Sequence, residues 1–217
     1  MEKVDTIIFD AGGVLIYIEE TRDSILRRLL KSSGYEEMTT TNALSILPEF
    51  DREYFKHNDE IINWKDEKEW WKRRCDKIAE IIDPNSEELK DKLFCLALDS
   101  FQYKLYEETI EILEILKGKY ELVILSNATA TLDWCFDLLD IRKYFKAVII
   151  SSYEKCVKPD VEIYKITLKK ICRKPEQCIF IDDRRSNVET AEKLGMKGFL
   201  LKREKGENLY TFIKALE

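Results

Sequence analysis

The chain has 217 residues, enough to bury a full core in one domain of ordinary size or in a core carrying a modest insertion. Charged residues make up 36% and the formal net charge is -6, which excludes a global basic field for holding nucleic acid or an anionic membrane surface. No stretch approaches the roughly 18 apolar residues of a membrane span, and Met1-Glu2-Lys3-Val4-Asp5 leads into a strand without an apolar signal region, so a cytoplasmic protein is expected. The six cysteines (Cys75, Cys95, Cys135, Cys156, Cys172 and Cys178) form no CxxC pair and are expected as reduced thiols. A single histidine, His57, excludes histidine-dependent triads and multi-histidine zinc sites, so acid-base chemistry falls to carboxylates, lysine or tyrosine.

Along the chain, the first predicted strand is 5–9, the apolar run Thr6-Ile7-Ile8-Phe9. Asp10 follows it, and Ala11-Gly12-Gly13-Val14-Leu15 forms a small, flexible turn that leaves the carboxylate exposed. From about Ile18 to Tyr103 there is no strand-like run. Helical spacing holds instead, in Ile25-Leu26-Leu29-Leu30, in Trp70-Trp71-Cys75-Ile78-Ile81-Ile82 and in Leu89-Leu93-Leu96-Leu98. Gly34 is read as ending the first of these helices and Asn85-Ser86-Glu87-Glu88 as a capping box before the last. An all-helical insertion over 18–103 therefore divides a core made of 1–17 and 104–217. Its place after a strand's carboxyl end makes it a lid candidate. Adjacent Trp70 and Trp71 cannot share one helix face, so at least one of Trp64, Trp70 and Trp71 packs inside rather than facing a ligand. Arg27-Arg28-Lys31 and Lys72-Arg73-Arg74 read as solvated helix surface.

Beyond residue 104, short apolar runs alternate with amphipathic stretches, the signature of a parallel sheet covered by helices in an α/β fold. Strands are predicted over 121–125, 146–150, 178–181 and 197–201. Helices are predicted from about Ala130 to Asp140, from Pro159 onward, and from near Asn187 to Gly195. Four polar signals then fall at strand ends: Asp10, Ser126-Asn127, Lys158-Pro159-Asp160 and Asp182-Asp183. Topology would converge them on one crevice.

Their physical roles follow from charge. A carboxylate at Asp10 attacking phosphorus splits one hard displacement into two easier ones, but two anions must first approach each other. Asp182 and Asp183 with Asp10 make a set of hard oxygen ligands suited to Mg²⁺. Lys158 would neutralise the nucleophile and the phosphoryl oxygens, Ser126 would donate a hydrogen bond, and the Gly12 and Gly13 amides would cradle the rest. Asn127 stands with Ser126 in the phosphate-binding set and also reads as a cap for the following helix. Asn187 reads as a cap of its own helix, both asparagines being structural or supports behind the site residues, and Asp160 reads as a macrodipole partner.

In motif order and wording, Phe9-Asp10-Ala11-Gly12-Gly13-Val14-Leu15, Leu125-Ser126-Asn127, Lys158-Pro159-Asp160 and Phe180-Ile181-Asp182-Asp183 with Asn187, the chain resembles the haloacid dehalogenase superfamily. The wording looks most like its alpha-glucose-1-phosphatase-like sugar phosphatases. The resemblance implies a Rossmannoid three-layer core around a five-stranded parallel sheet in the order 5-4-1-2-3, with a helical C1-type cap. It implies a Mg²⁺-dependent phosphatase of small phosphorylated metabolites, with the Gly12 carbonyl among the metal ligands. The departure is Gly12 itself, which stands where the family's second Asp protonates the leaving oxygen. Three answers are open: a leaving group needing little protonation, another residue in that role, with Tyr17, Glu19 and Glu20 nearest, or slow turnover. Alternatives are a 2-haloacid dehalogenase, a phosphonoacetaldehyde hydrolase-like enzyme, and a metabolite-binding protein with weak catalysis.

Overall fold

The computed structural model describes residues 3–57, 61–99 and 103–216, without the side chains of Arg22, 54–57 and 97–99. The expectations for the His57 and Leu98 side chains lie outside that description. In chain order the elements are β1 (Thr6–Phe9), β2 (Ile16–Ile18), α1 (Arg22–Ser32), α2 (Glu37–Ser45), α3 (Leu47–His57), α4 (Trp64–Ile82), α5 (Glu87–Asp99), β3 (Tyr103–Leu105), α6 (Thr109–Lys117), β4 (Glu121–Ser126) and α7 (Ala130–Leu138). Then follow β5 (Ala147–Ile150), α8 (Ser151–Glu154), α9 (Val161–Ile171), β6 (Cys178–Asp182), α10 (Arg185–Lys193), β7 (Lys197–Leu200) and α11 (Leu209–Leu216). The chain divides into two compact units, residues 1–17 with 103–217, and residues 18–102.

The first unit is built on a five-stranded sheet in the order β5-β4-β1-β6-β7, with every neighbouring pair parallel. Its numerals differ from the expected order because β2 and β3, which form a separate two-stranded sheet, also count along the chain. These three-residue strands are too short to show alternation, and the sequence reading has neither. The central strands are buried on both faces, which is why they read as unbroken apolar runs. Alternate residues feed two cores. Ile7, Phe9, Leu122, Ile124, Ile179 and Ile181 pack with Ile112 and Leu116 of α6, Phe136 of α7 and Phe212 of α11. Ile8, Val123, Leu125 and Phe180 pack with Tyr164 and Leu168 of α9 and Ala191 of α10. Helices thus cover both faces, and burying each large side chain stabilises the layers by about 1.5–3 kcal/mol.

Two boundaries differ from expectation. Pro159 does not open α9: Asp160 is its N-cap, accepting from the Glu162 N–H at 2.9 Å, and the Lys158–Pro159 bond before it is cis. Asn187 does not cap α10, because it lies inside that helix, whose N-cap is Arg184. Gly34 and Gly195 follow α1 and α10 in left-handed backbone, as read from the sequence.

The second unit has its own core, in which Leu26 and Leu30 of α1, Leu44 of α2, Trp71, Cys75 and Ile78 of α4, and Leu89 and Leu93 of α5 are buried. Asn63 caps α4 by accepting from Lys65 and Asp66 N–H. Ser86 caps α5 through Leu89 N–H, but that third helical residue is Leu, so the reciprocal half of a capping box is absent. Trp71 is core. The Trp70 indole N–H donates to Asp51 at 3.2 Å. Arg74 is no solvated surface residue: its guanidinium lies 4.8 and 4.9 Å from the Trp70 and Trp71 ring centroids and pairs with Asp51 at 2.9 Å. All six cysteines are free thiols.

Candidate active site

In a parallel sheet, loops leaving the carboxyl ends of adjacent strands share one edge. Asp10 directly follows β1, β4 ends in Ser126 and β6 in Asp182, while Lys158 follows β5 and α8. A cleft of about 260 Å³ opens there, lined by Asp10, Gly12, Ser126, Asn127, Lys158, Asp183, Arg184 and Asn187.

Lys158 is the electrostatic hub. Its ammonium lies 2.9 Å from Asp10 Oδ1 and 2.7 Å from Asp182 Oδ2, with the Lys158 and Asp182 side chains 1% and 0% exposed. A charge so deeply removed from water is retained only with partners, and these two carboxylates are the partners. Asn127 sets the lysine in place: its amide donates to the Lys158 carbonyl at 2.8 Å and its Oδ1 accepts the Lys158 N–H at 2.7 Å. Asn127 therefore does not cap α7, whose N-cap is Thr129.

Asp10 Oδ1 also accepts the Ala11 N–H at 2.7 Å, whereas Oδ2 holds no hydrogen bond among the described residues. One oxygen orients the carboxylate and the other is left with its lone pairs. Burial pushes the Asp10 carboxyl above its usual range; Lys158 pulls it down and Asp182 adds to the rise. The Ser126 hydroxyl, buried at the end of β4, also holds no hydrogen bond to a described residue.

Asp182 differs from its neighbour. Its oxygens accept from Lys158 Nζ, from the Arg184 N–H at 2.8 Å, and from the Asn187 amide at 3.0 Å to each oxygen. Asn187 is in turn held by Tyr164, whose hydroxyl donates to the Asn187 carbonyl at 2.9 Å. Asp183 is exposed, and its carboxylate is held by its own backbone N–H rather than by a neighbouring side chain. Partial desolvation raises its carboxyl, followed by Asp10 and Asp182. Oxygens of Asp10, Asp182 and Asp183 lie within 4.8 Å of one another. Three carboxylates against one lysine leave a net negative charge, and all the donors are hard oxygens, so the set fits a divalent cation.

The turn after Asp10 treats its two glycines differently. Gly13 has φ +75°, and a Cβ there would stand 2.4 Å from Asp183 Oδ2, so a side chain is barred twice. Its N–H donates to the Ile16 carbonyl at 2.9 Å and its carbonyl accepts from Arg203 Nε at 2.9 Å. Gly13 is thus committed to the turn and does not line the cleft, contrary to the expected amide cradle. A Cβ on Gly12 would meet nothing within 4 Å. Arg203 also donates to the Val14 carbonyl, pairs with Glu108 at 2.9 Å and lies 3.3 Å from the Tyr106 ring centroid, clamping the turn from behind. Tyr17 stacks on Tyr106, centroids 4.9 Å apart, and Glu20 pairs with Arg28 at 2.6 Å.

Asn187 supports the site through Asp182, one of the two roles expected for it, whereas Arg184 and Arg203 are the residues that sequence reasoning misses. Only Arg184, beside the acidic pair, carried a signal.

A parallel α/β sheet thus gathers carboxylates, a serine and a lysine on its carboxyl edge, and family comparison gives the class of protein. The model of haloacid dehalogenase-like hydrolases matches residues 4–195, and the chain belongs to that family. It is 29% identical over 198 residues to the phosphorylated carbohydrates phosphatase of Thermotoga maritima, covering 89% of this chain and 83% of that protein. Among solved structures it is similar to a HAD family enzyme from Bacteroides thetaiotaomicron in complex with magnesium and inorganic phosphate (TM-score 0.62, 22% identity, 92% of this chain and 94% of that one). It is also similar to the 2-haloacid dehalogenase of Pseudomonas syringae (TM-score 0.66, 16% identity, 93% of this chain and 87% of that one). Fold alone therefore does not separate the two chemistries. The chain is a hydrolase.

Proposed function

We propose that this hydrolase is a Mg²⁺-dependent phosphatase of small phosphorylated metabolites, sugar phosphates among them, with Asp10 as nucleophile. The observation that carries the reading is the acidic cluster of Asp10, Asp182 and Asp183 around Lys158 in one cleft. A dehalogenase needs no cation, and this cluster without one would repel an anionic haloacid. The phosphatase of Thermotoga maritima adds support through a match that spans most of both chains.

In this reading Asp10 Oδ2 attacks phosphorus, the bond from phosphorus to the leaving oxygen breaks, and an aspartyl-phosphate forms. Water then attacks phosphorus, releasing inorganic phosphate and restoring the carboxylate. Lys158 and the Ser126 hydroxyl meet the phosphoryl oxygens. Asp10, Asp183 and the Gly12 carbonyl would hold the metal, with Asp183 favoured over Asp182 because Asp182 accepts from three residues, Lys158, Arg184 and Asn187. Mg²⁺ there would offset the charge of nucleophile and phosphoryl group. No carboxyl stands at Gly12 to protonate the leaving oxygen, a contribution typically worth about 10²–10⁴ in rate. Good leaving groups, as in acyl or anomeric sugar phosphates, are therefore preferred. The helical unit is proposed as the C1-type cap, supported by its insertion between β2 and β3.

The test is phosphate release from acetyl phosphate, p-nitrophenyl phosphate, anomeric sugar phosphates and alkyl phosphates, in Mg²⁺ and in chelator, with wild type and Asp10→Asn. Activity confined to Mg²⁺, lost in Asp10→Asn and ranked by leaving-group acidity is expected. Full activity in Asp10→Asn, or chloride release from a 2-haloacid in chelator, overturns the reading.

A further inference from the structure

Arg184 has no counterpart among the roles assigned so far. It lines the cleft and is exposed, and no ion pair or side-chain hydrogen bond holds its guanidinium among the described residues. Its neighbour Arg185, by contrast, lies 3.9 Å from Glu189. The Arg184 backbone is anchored: its N–H donates to Asp182 Oδ1 at 2.8 Å, and its carbonyl accepts from Asn187 and Val188 N–H at 3.1 and 3.2 Å. The side chain thus projects from a fixed point.

The other cation of the cleft, Lys158, is buried between Asp10 and Asp182 and serves the phosphoryl group there, not the leaving group. Asp183 leans on the Gly13 turn, and Arg184 draws its carboxyl downward through space without an ion-pair contact. Gly12, where a Cβ would meet nothing within 4 Å, and Arg184 line the same cleft as Asp10, Ser126 and Lys158, so the leaving group of a phosphoryl group seated at those three would have space at Gly12 and a guanidinium within the same cleft. An acidic residue at position 12 would put negative charge there; glycine does not. Without a carboxylate at position 12, the Arg184 guanidinium has one acidic neighbour fewer in the cleft. Guanidinium is suited to bidentate binding of carboxylate and phosphate.

Resting on the phosphatase reading above, we propose that Arg184 is a specificity-determining residue, selecting phosphate esters whose leaving group carries a second anionic group. The substrate class is then a phosphorylated acid or a bisphosphate rather than a neutral sugar monophosphate.

The test compares phenyl phosphate with its 4-carboxylate counterpart, two esters of similar leaving-group acidity, using wild type, Arg184→Ala, Arg184→Lys and Arg184→Glu in Mg²⁺. Wild type should favour the carboxylated ester in kcat/KM. Arg184→Ala should cut that preference by about tenfold or more, mainly through KM, as loss of a charged hydrogen bond does. Arg184→Lys should keep part of the preference and Arg184→Glu reverse it. Equal losses on both esters, or none, overturn the proposal. If wild type hydrolyses neither ester the phosphatase reading falls, and Arg184 is then judged by calorimetric binding of the two esters. A Kd raised by Arg184→Ala for the carboxylated ester more than for phenyl phosphate supports the role, and equal changes overturn it.

Discussion

Asn127 grips Lys158 by its main chain at both the N–H and the carbonyl, 2.7 and 2.8 Å away, so the ammonium position is set from a different strand's end. Asn127→Ala should free that segment without removing any charge. Two hydrogen bonds of roughly 1 kcal/mol each are lost, and misplacing Lys158 should lower kcat by about tenfold to a hundredfold. Urea unfolding and steady-state kinetics check both. An unchanged kcat would show that Lys158 is held without Asn127.

Gly12 and Gly13 should respond oppositely to substitution. A Cβ at Gly12 meets nothing within 4 Å, and in Gly12→Asp a carboxyl placed beside Asp10 and Asp183 would have its proton held by the neighbouring negative charge. Turnover of alkyl phosphates should rise, by up to about 10²-fold, while acetyl phosphate changes little. Gly13→Ala should instead cost about 1–3 kcal/mol through left-handed strain and displace Asp183. Thermal unfolding with kinetics on both esters measures the contrast.

Metal removal has its own signature. Mg²⁺ at a hundred times its dissociation constant should stabilise the protein by about 2.7 kcal/mol, seen as a higher Tm. Asp183→Asn should abolish most of that gain. A gain retained in full would place the ion elsewhere.

The buried thiols set an alkaline limit. Burial pushes Cys75 and Cys178 up to about 12 from the ordinary 9.0. Above pH 9 the unfolded chain releases these protons while the folded one keeps them, so stability falls as pH rises. The slope should be about 1 kcal/mol per thiol for each pH unit up to the folded-state value. Urea midpoints at pH 8 and pH 10 test this. In native protein, Cys95 and Cys172, both exposed, should react with a thiol reagent and Cys75 and Cys178 should not.

The five sheet strands were readable because both faces of each central strand are buried, making Ile7-Ile8-Phe9 or Leu122-Val123-Ile124-Leu125 a continuous apolar signal. The strand-end polar residues were readable for the same reason, since finding a parallel strand also finds its carboxyl end. What escaped depends on contacts through space. Asn187 looks like a cap until α10 is seen to begin two residues earlier and turn its amide onto Asp182. The free Gly13 amide existed only in a sequence without Ile16 folded back on it. Nothing near Arg203 announces a grip on a turn 190 residues away.

That grip bears on the order in which the molecule is made. β1 is the middle strand, bounded by β4 and β6, so it leaves the ribosome before either neighbour exists. Its apolar residues wait through the synthesis of the whole helical unit, and the turn carrying Asp10 is locked only when Arg203 emerges. A nascent chain stalled before that point would carry the nucleophile without its scaffold, exposed to aggregation through the strand most central to the fold.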